Sequence, residues 1–367
     1  MQEIKIGNRL VGDGQPCFII AEAGVNHNGS LDLAKKLIDA AKEAGADAVK
    51  FQTFKTEGVM IENVPMAEYQ KKNTGKKETM FQMVKRLELD YNSFVELKKY
   101  CDQKGILFLS TPHSEDAIDF LDQLIPAFKT GSGDLTNFPA LEKIAQKGKP
   151  TILSTGMATL DEVGEGIEAI KSQGNNEIIL LHCTTNYPCP IEDVNLRAMF
   201  ALSKKFNLLT GYSDHTQGIN VSLAAVALGA CVIEKHFTTD KNLPGPDHKA
   251  SVDPKELKAM VMGIRNIENR LAKGDSPDDI VRELDIIEAL GDGVKNPTPS
   301  ELEIAKLARK SIVAAVDISK GEIIGMSMLA IKRPGTGIKP KYLSRIIGIV
   351  SKENIKKDEL ITWEKVQ

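Results

Sequence analysis

The chain is short of several things at once. Among 367 residues there are one tryptophan, 5% aromatics and only five cysteines. Cys17, Cys101, Cys183, Cys189 and Cys231 are odd in number, lack CxxC spacing and sit mostly in apolar runs. That argues against a disulfide framework, and the thiols read as reduced and buried in a cytoplasmic protein. No apolar run approaches the roughly 18 residues that span a bilayer, so no membrane partner is expected. The opening stretch MQEIKIGNRL has neither an apolar signal core nor a small-residue cleavage site, which favours the same compartment. A net charge of −3 leaves no general excess of Lys and Arg for neutralising phosphates, so a nucleic-acid partner is not expected. A Gly-rich dinucleotide fingerprint is also missing after the first apolar run, which weakens an open doubly wound sheet.

What is present is a 42% apolar content, ample for a core, over a length that suits two domains or one large barrel with a smaller companion. After a hairpin signal (EIKIGNRLVGDGQP, with Gly-Asp-Gly read as its turn), short apolar runs alternate with helical patterns. Strands are expected at 18–22, 48–52, 106–111, 127–132, 151–155, 178–182, 208–213 and 232–236. Helices are expected at 31–44, 94–104, 160–172, 219–228 and 254–271. Eight strand–helix units over about 250 residues specify a (β/α)8 TIM barrel. Residues 273–308 lose the alternation and read as a linker with a short helical piece near 280–290. From 309 to 367 short strands and turns (SIVAAVDI, MLAIKRPGTGI, LITWEKV) suggest a small β-rich module, too small to rely on its own core alone. The expected division is thus 1–272, 273–308 and 309–367.

Barrel sites lie at the C-terminal strand ends. Here all eight ends are polar: AEAGVNHNG, VKFQTFK, LSTPHS, FKTGSGD, LSTG, HCTTNYP, GYSDHTQG and EKHFTTD. Side chains alternate along a strand, so Glu234 shares a face with His236, and Ser213 with His215. On neighbouring strands, His215 and His236 can hold one cation; two buried, hydrogen-bonded histidines are the plainer alternative. His182 is expected inside the barrel and satisfied, with His27, His113 and His248 in loops. Lys50 and Lys129 on interior faces are expensive unless paired, and an anionic ligand would offset that cost. Ser132, Ser154 and Ser213 can donate to phosphate oxygens. A Schiff-base aldolase lysine is the competing reading, and Lys55 and Lys235 are expected to snorkel to the rim. Glu22, Asp134, Glu234 and Asp247 are the acidic candidates.

Taken in order, AEAGVNHNG, KTGSGD, HCTTNYP, GYSDHTQG, EKHFT and LPGPDHKAS, with the KRPGTGI tail, resemble the N-acetylneuraminate (sialic acid) synthase family, whose members end in an antifreeze-like SAF domain. The resemblance implies a metal-dependent condensation of phosphoenolpyruvate with N-acetylmannosamine and water, giving N-acetylneuraminate and phosphate. Legionaminate synthase, acting on a diacetamido-trideoxy sugar, is the alternative within the family; a sugar-binding protein without activity is another outside it. It implies a divalent cation, Mn or Mg, on His215 and His236. Phosphoenolpyruvate contacts would be Lys50, Thr111, Lys129, Ser132, Ser154, Asn186 and Ser213, and sugar contacts Gln52, Tyr187, Asp247 and Arg333. Glu22, Asp134 and Glu234 would supply acid–base chemistry, although Asp134 stands where some members have the longer Glu. Arg333 would enter a partner subunit's barrel in a domain-swapped homodimer.

Overall fold

The computed structural model describes residues 2–366. Strands β1 (Glu3–Ile6) and β2 (Arg9–Gly12) form the opening antiparallel hairpin. Its turn is Gly7–Asn8 rather than the later Gly-Asp-Gly; Gly7 has a φ of +60°, where a side chain would be strained. Eight parallel strands follow: β3 (Phe18–Gly24), β4 (Ala48–Thr53), β5 (Leu107–Pro112), β6 (Phe128–Thr130), β7 (Thr151–Ser154), β8 (Ile178–His182), β9 (Leu209–Asp214) and β10 (Val232–His236). Their ladders run β5-β4-β3-β10-β9-β8-β7-β6, and β5 meets β6 at the closing seam. The expected eight-stranded barrel is therefore the observed one.

Two-residue periodicity divides each strand between two environments. Phe18, Ile20, Ala48, Leu109, Ile152, Ile179, Leu181 and Val232 fill the interior, and Ile6 and Val11 of the hairpin close its floor. The opposite face, including Ile19, Ala21, Val49 and Phe51, packs beneath the helices. The helix Leu31–Ala44 shows how they are set. Ser30 caps its first turn by accepting from the Leu33 N–H, Gly45 ends it in the left-handed conformation, and Leu37, Ile38 and Ala41 are buried. Burying Leu37 or Ile38 contributes about 1.5–3 kcal/mol each.

The same alternation corrects two expectations. Lys235 does not snorkel to the rim. Its odd register turns it into the helix layer, where it is 1% exposed, 2.9 Å from Asp214 and bonded to the Thr216 carbonyl. His182 likewise faces outward rather than into the barrel, with Nε2 2.8 Å from the Val194 carbonyl.

Between β4 and β5 the chain makes a long excursion through short helices at Thr56–Val59, Glu68–Thr74 and Met80–Lys85. The helix Pro254–Ala272 completes the barrel's helix layer against Leu31–Ala44 and Asn220–Ala227, and beyond it come Pro277–Glu283 and the linking helix Pro299–Ala308. Among the described residues no helix is long and apolar enough to cross a membrane. In the tail, β11 (Ser311–Ala314) pairs with β12 (Leu329–Lys332), over a separate core that includes Ile312, Ile318, Ile324, Ile346 and Ile355. The tail sits on the barrel mouth, where Arg333 bridges to Met60 in the β4–β5 excursion.

Candidate active site

Where the barrel's inward faces leave the apolar layers, they carry charge. Strand register sets Glu22 beside Lys50 and beside His236, and Ser213 beside Glu234. Lys50 Nζ lies 2.7 Å from Glu22 and 3.5 Å from Glu234, and donates to Thr111 Oγ1 at 2.9 Å. Lys129 Nζ lies 3.3 Å from Glu234 and donates to Ser154 Oγ at 2.7 Å. All four charged groups are buried. Neither Glu22 Oε2 nor Glu234 Oε2 receives an aligned hydrogen bond. Burial, reinforced by the charge of Glu234, pushes the Glu22 carboxyl up despite Lys50. Burial acts on Glu234 too, but Lys129 and Lys50 outweigh it and hold that carboxyl down. One carboxyl thus favours its proton and its neighbour stays ionised, the split that acid–base work needs.

Above this layer the two histidine rings lie 5.7 Å apart, both against Tyr187. Desolvation lowers the pKa of His215 and His236, keeping both imidazoles neutral. His215 Nδ1 is 2.7 Å from the Thr184 carbonyl, so it carries the proton and leaves Nε2 an acceptor, with Ser213 Oγ 3.5 Å away. His236 Nδ1 is buried without any partner. Neutral rings, one oriented by a backbone carbonyl and one with an orphaned nitrogen, fit a divalent cation. Among the described residues no three His, Cys, Asp or Glu gather as a metal-binding group, so water or substrate would complete the coordination.

These groups open into a cavity of about 190 Å³. Glu22, Lys50, Gln52, Thr111, Lys129, Ser132, Ser154, Tyr187, Ser213, His215, Glu234, His236, Asp247 and Arg333 all border it. Arg333 does so within its own chain, whereas the expectation had it entering a partner subunit. Asp247 is buried with no cation beside it among the described residues, and burial raises its pKa to about 6. Two expected residues stand apart. Asp134 lies in the turn Ser132–Asp134 after β6 and points away, 2.7 Å from Lys310 and 3.6 Å from His113. Lys310 and His113 hold its carboxyl far below the usual range against the pull of burial. Asn186 accepts from the Tyr187 N–H and shapes the loop instead of bordering the cavity.

The strand-end reading missed part of the wall. His113, Thr185 and Tyr69 border the cavity, as do Met60, Met80, Met83 and Leu87 from the excursion and Ile304 and Leu307 from the linking helix. The excursion's length between two barrel strands was the available signal, because long barrel loops carry function.

The chain matches the NeuB family over residues 37–276 and the SAF domain over residues 309–367. It is 48% identical to the N,N'-diacetyllegionaminic acid synthase of Campylobacter jejuni, covering 94% of this chain and 98% of that protein. Human N-acetylneuraminate-9-phosphate synthase is 38% identical, covering 98% and 95% respectively. The crystal structure of the spore coat polysaccharide biosynthesis protein SpsE from Bacillus subtilis superposes with a TM-score of 0.84 at 36% identity, covering 100% of this chain and 99% of that one. With the polar strand ends, the cavity at the barrel mouth and the small tail accounted for, the chain belongs to the NeuB family of sugar acid synthases and carries a C-terminal SAF domain.

Proposed function

We propose that the chain condenses phosphoenolpyruvate with an N-acetylated mannosamine-type sugar in its open-chain aldehyde form, releasing a nonulosonic acid and inorganic phosphate. The observation that carries this reading is the buried layer of Lys50 and Lys129 with Ser154 and Thr111, directly beneath two neutral imidazoles in one cavity. The ammonium groups balance the phosphate and carboxylate of the enol ester, and the Ser132 and Ser154 hydroxyls donate to its oxygens. A divalent cation held by His215 and His236 would supply Lewis acidity toward the aldehyde oxygen. Carbon 3 of the enol attacks the aldehyde carbon, leaving positive character at carbon 2. Water adds there and its proton passes to the ionised form of Glu22, made more basic by burial that raises its pKa to about 7. Collapse of the adduct breaks the carbon 2–oxygen bond and expels phosphate. Lys50, 2.7 Å from Glu22, remains positioned for the departing charge. Asp247 and Gln52 accept and donate to sugar hydroxyls, and Arg333 binds the acetamido group.

N-acetylmannosamine would give N-acetylneuraminate. A 2,4-diacetamido-2,4,6-trideoxy sugar, giving a legionaminic acid, is favoured over it by the wall of Met60, Met80, Met83, Leu87 and Leu307. Such a wall suits a methyl terminus and a second acetyl group better than a hydroxymethyl. The higher identity to the legionaminic acid synthase points the same way.

The test is phosphate release from phosphoenolpyruvate with each sugar, with and without EDTA. Release is expected only with an acetamido sugar, faster with the trideoxy one, lost in EDTA and restored by Mn or Mg. Full activity in EDTA together with a borohydride-trapped pyruvate adduct would establish the lysine aldolase instead.

A further inference from the structure

The loops after β6, β7 and β8 crowd together where the anionic substrate would sit. Gly156 marks the spot: a Cβ there would lie 2.2 Å from Thr185 Oγ1 and 2.8 Å from Ser132 Oγ, and its N–H donates to Ser132 Oγ at 3.0 Å. Ser132 Oγ also lies 3.2 Å from Cys183 Sγ, so all three loops meet at this point. Met157, the next residue, has a φ of +60°, a conformation that a non-glycine residue keeps only when its surroundings enforce it.

What enforces it comes from outside the barrel. Glu301, in the linking helix Pro299–Ala308, is 1% exposed. Its Oε1 accepts from the Met157 N–H at 2.7 Å and from the Thr185 N–H at 2.8 Å. Its Oε2 accepts from the Thr298 N–H at 3.0 Å, as part of that helix's capping box. The same connection grips the β7 loop twice more: Arg309 donates to the Met157 carbonyl at 2.6 Å, and Lys295 to the Ala158 carbonyl at 3.0 Å. A carboxylate with three backbone N–H donors is a firm anchor, because each bond is charge-assisted and shielded from water.

We propose that Glu301 is a positioning residue that clamps the β7 and β8 loops at Met157 and Thr185, and so sets the phosphoenolpyruvate end of the cavity from the linking segment. The proposal rests on the functional reading above, since Met157 and Thr185 border the same cavity as Ser132 and Ser154.

Four full-length proteins test it: wild type, Glu301→Ala, Glu301→Gln and Thr298→Ala. Glu301→Ala is expected to raise the KM for phosphoenolpyruvate and weaken its calorimetric binding roughly tenfold, with the sugar KM moved less than about twofold. Glu301→Gln keeps a carbonyl oxygen for both loop N–H groups and is expected to recover most of that loss. Thr298→Ala removes a cap from the same helix without touching the loops, and should lower the melting temperature alone. Hydrogen exchange over residues 155–158 and 183–187 should accelerate in Glu301→Ala and not in Thr298→Ala. That readout needs no turnover, so it separates failure of the clamp from failure of the condensation reading, which wild-type protein inactive with every acceptor would signal. Unchanged exchange in Glu301→Ala, or phosphoenolpyruvate binding weakened equally by Thr298→Ala, overturns the proposal.

Discussion

Asp247 differs from the other carboxylates of the cavity in having no cation to offset its burial. Folding therefore favours its neutral form, and stability is surrendered as pH rises from the unfolded carboxylate range through about 6. Asp247→Asn should accordingly be more stable than wild type near neutral pH, by at most roughly 3 kcal/mol in urea unfolding, with the gap closing below about pH 4. In the proposed sugar contact, the ionised carboxylate would be the form that accepts the hydroxyl. Wild-type kcat/KM for the sugar should thus climb through about pH 6, and the Asn variant should be flat there. The strand residues of the site were legible from alternation, unlike Asp247 in its loop: Glu22, Lys50, Lys129, Ser213 and Glu234 stand in the registers where each strand leaves its apolar layers. Lys235 was equally open to that reading, and its odd register was the clue to a buried pair with Asp214.

Elements after a strand end follow other rules. β6 stops at Thr130 and a tight turn carries Asp134 away from the cavity, so extending the strand to Ser132 misassigned its direction. The partner that fixes Asp134 is Lys310, far along the chain at the start of the tail, and no local pattern announces it. Lys310 is 4% exposed and also donates to the His113 carbonyl, so the pair pins the tail to the β5 and β6 ends. Lys310→Met should cost about 3–5 kcal/mol by stranding a buried carboxylate, and adding Asp134→Asn should return most of it, as a double-mutant cycle in urea would read. The methionines of the β4–β5 excursion were illegible for a different reason. Their short helices have no sustained period, and they find their faces only by packing on one another and on Leu307.

For the molecule as a whole, the tail reaches the mouth of its own barrel through contacts that two copies could exchange one for one. We propose the exchanged homodimer as the assembled state, and mixing tests it. At sugar well below KM, His236→Ala, inactive alone, and Arg333→Ala, its KM for the sugar raised, should together regain up to about a quarter of wild-type activity, whereas docking within one chain regains none.

The hairpin at the other end has its own bearing on turnover. With Ile6 and Val11 stoppering the staves from below, the barrel is a vessel with one neck. On the proposed reaction, reactants and products would share that opening, so the phosphoenolpyruvate seated against the lysines would have to arrive before the sugar that covers it. Phosphate released against those lysines would then depart only once the larger product had cleared the way.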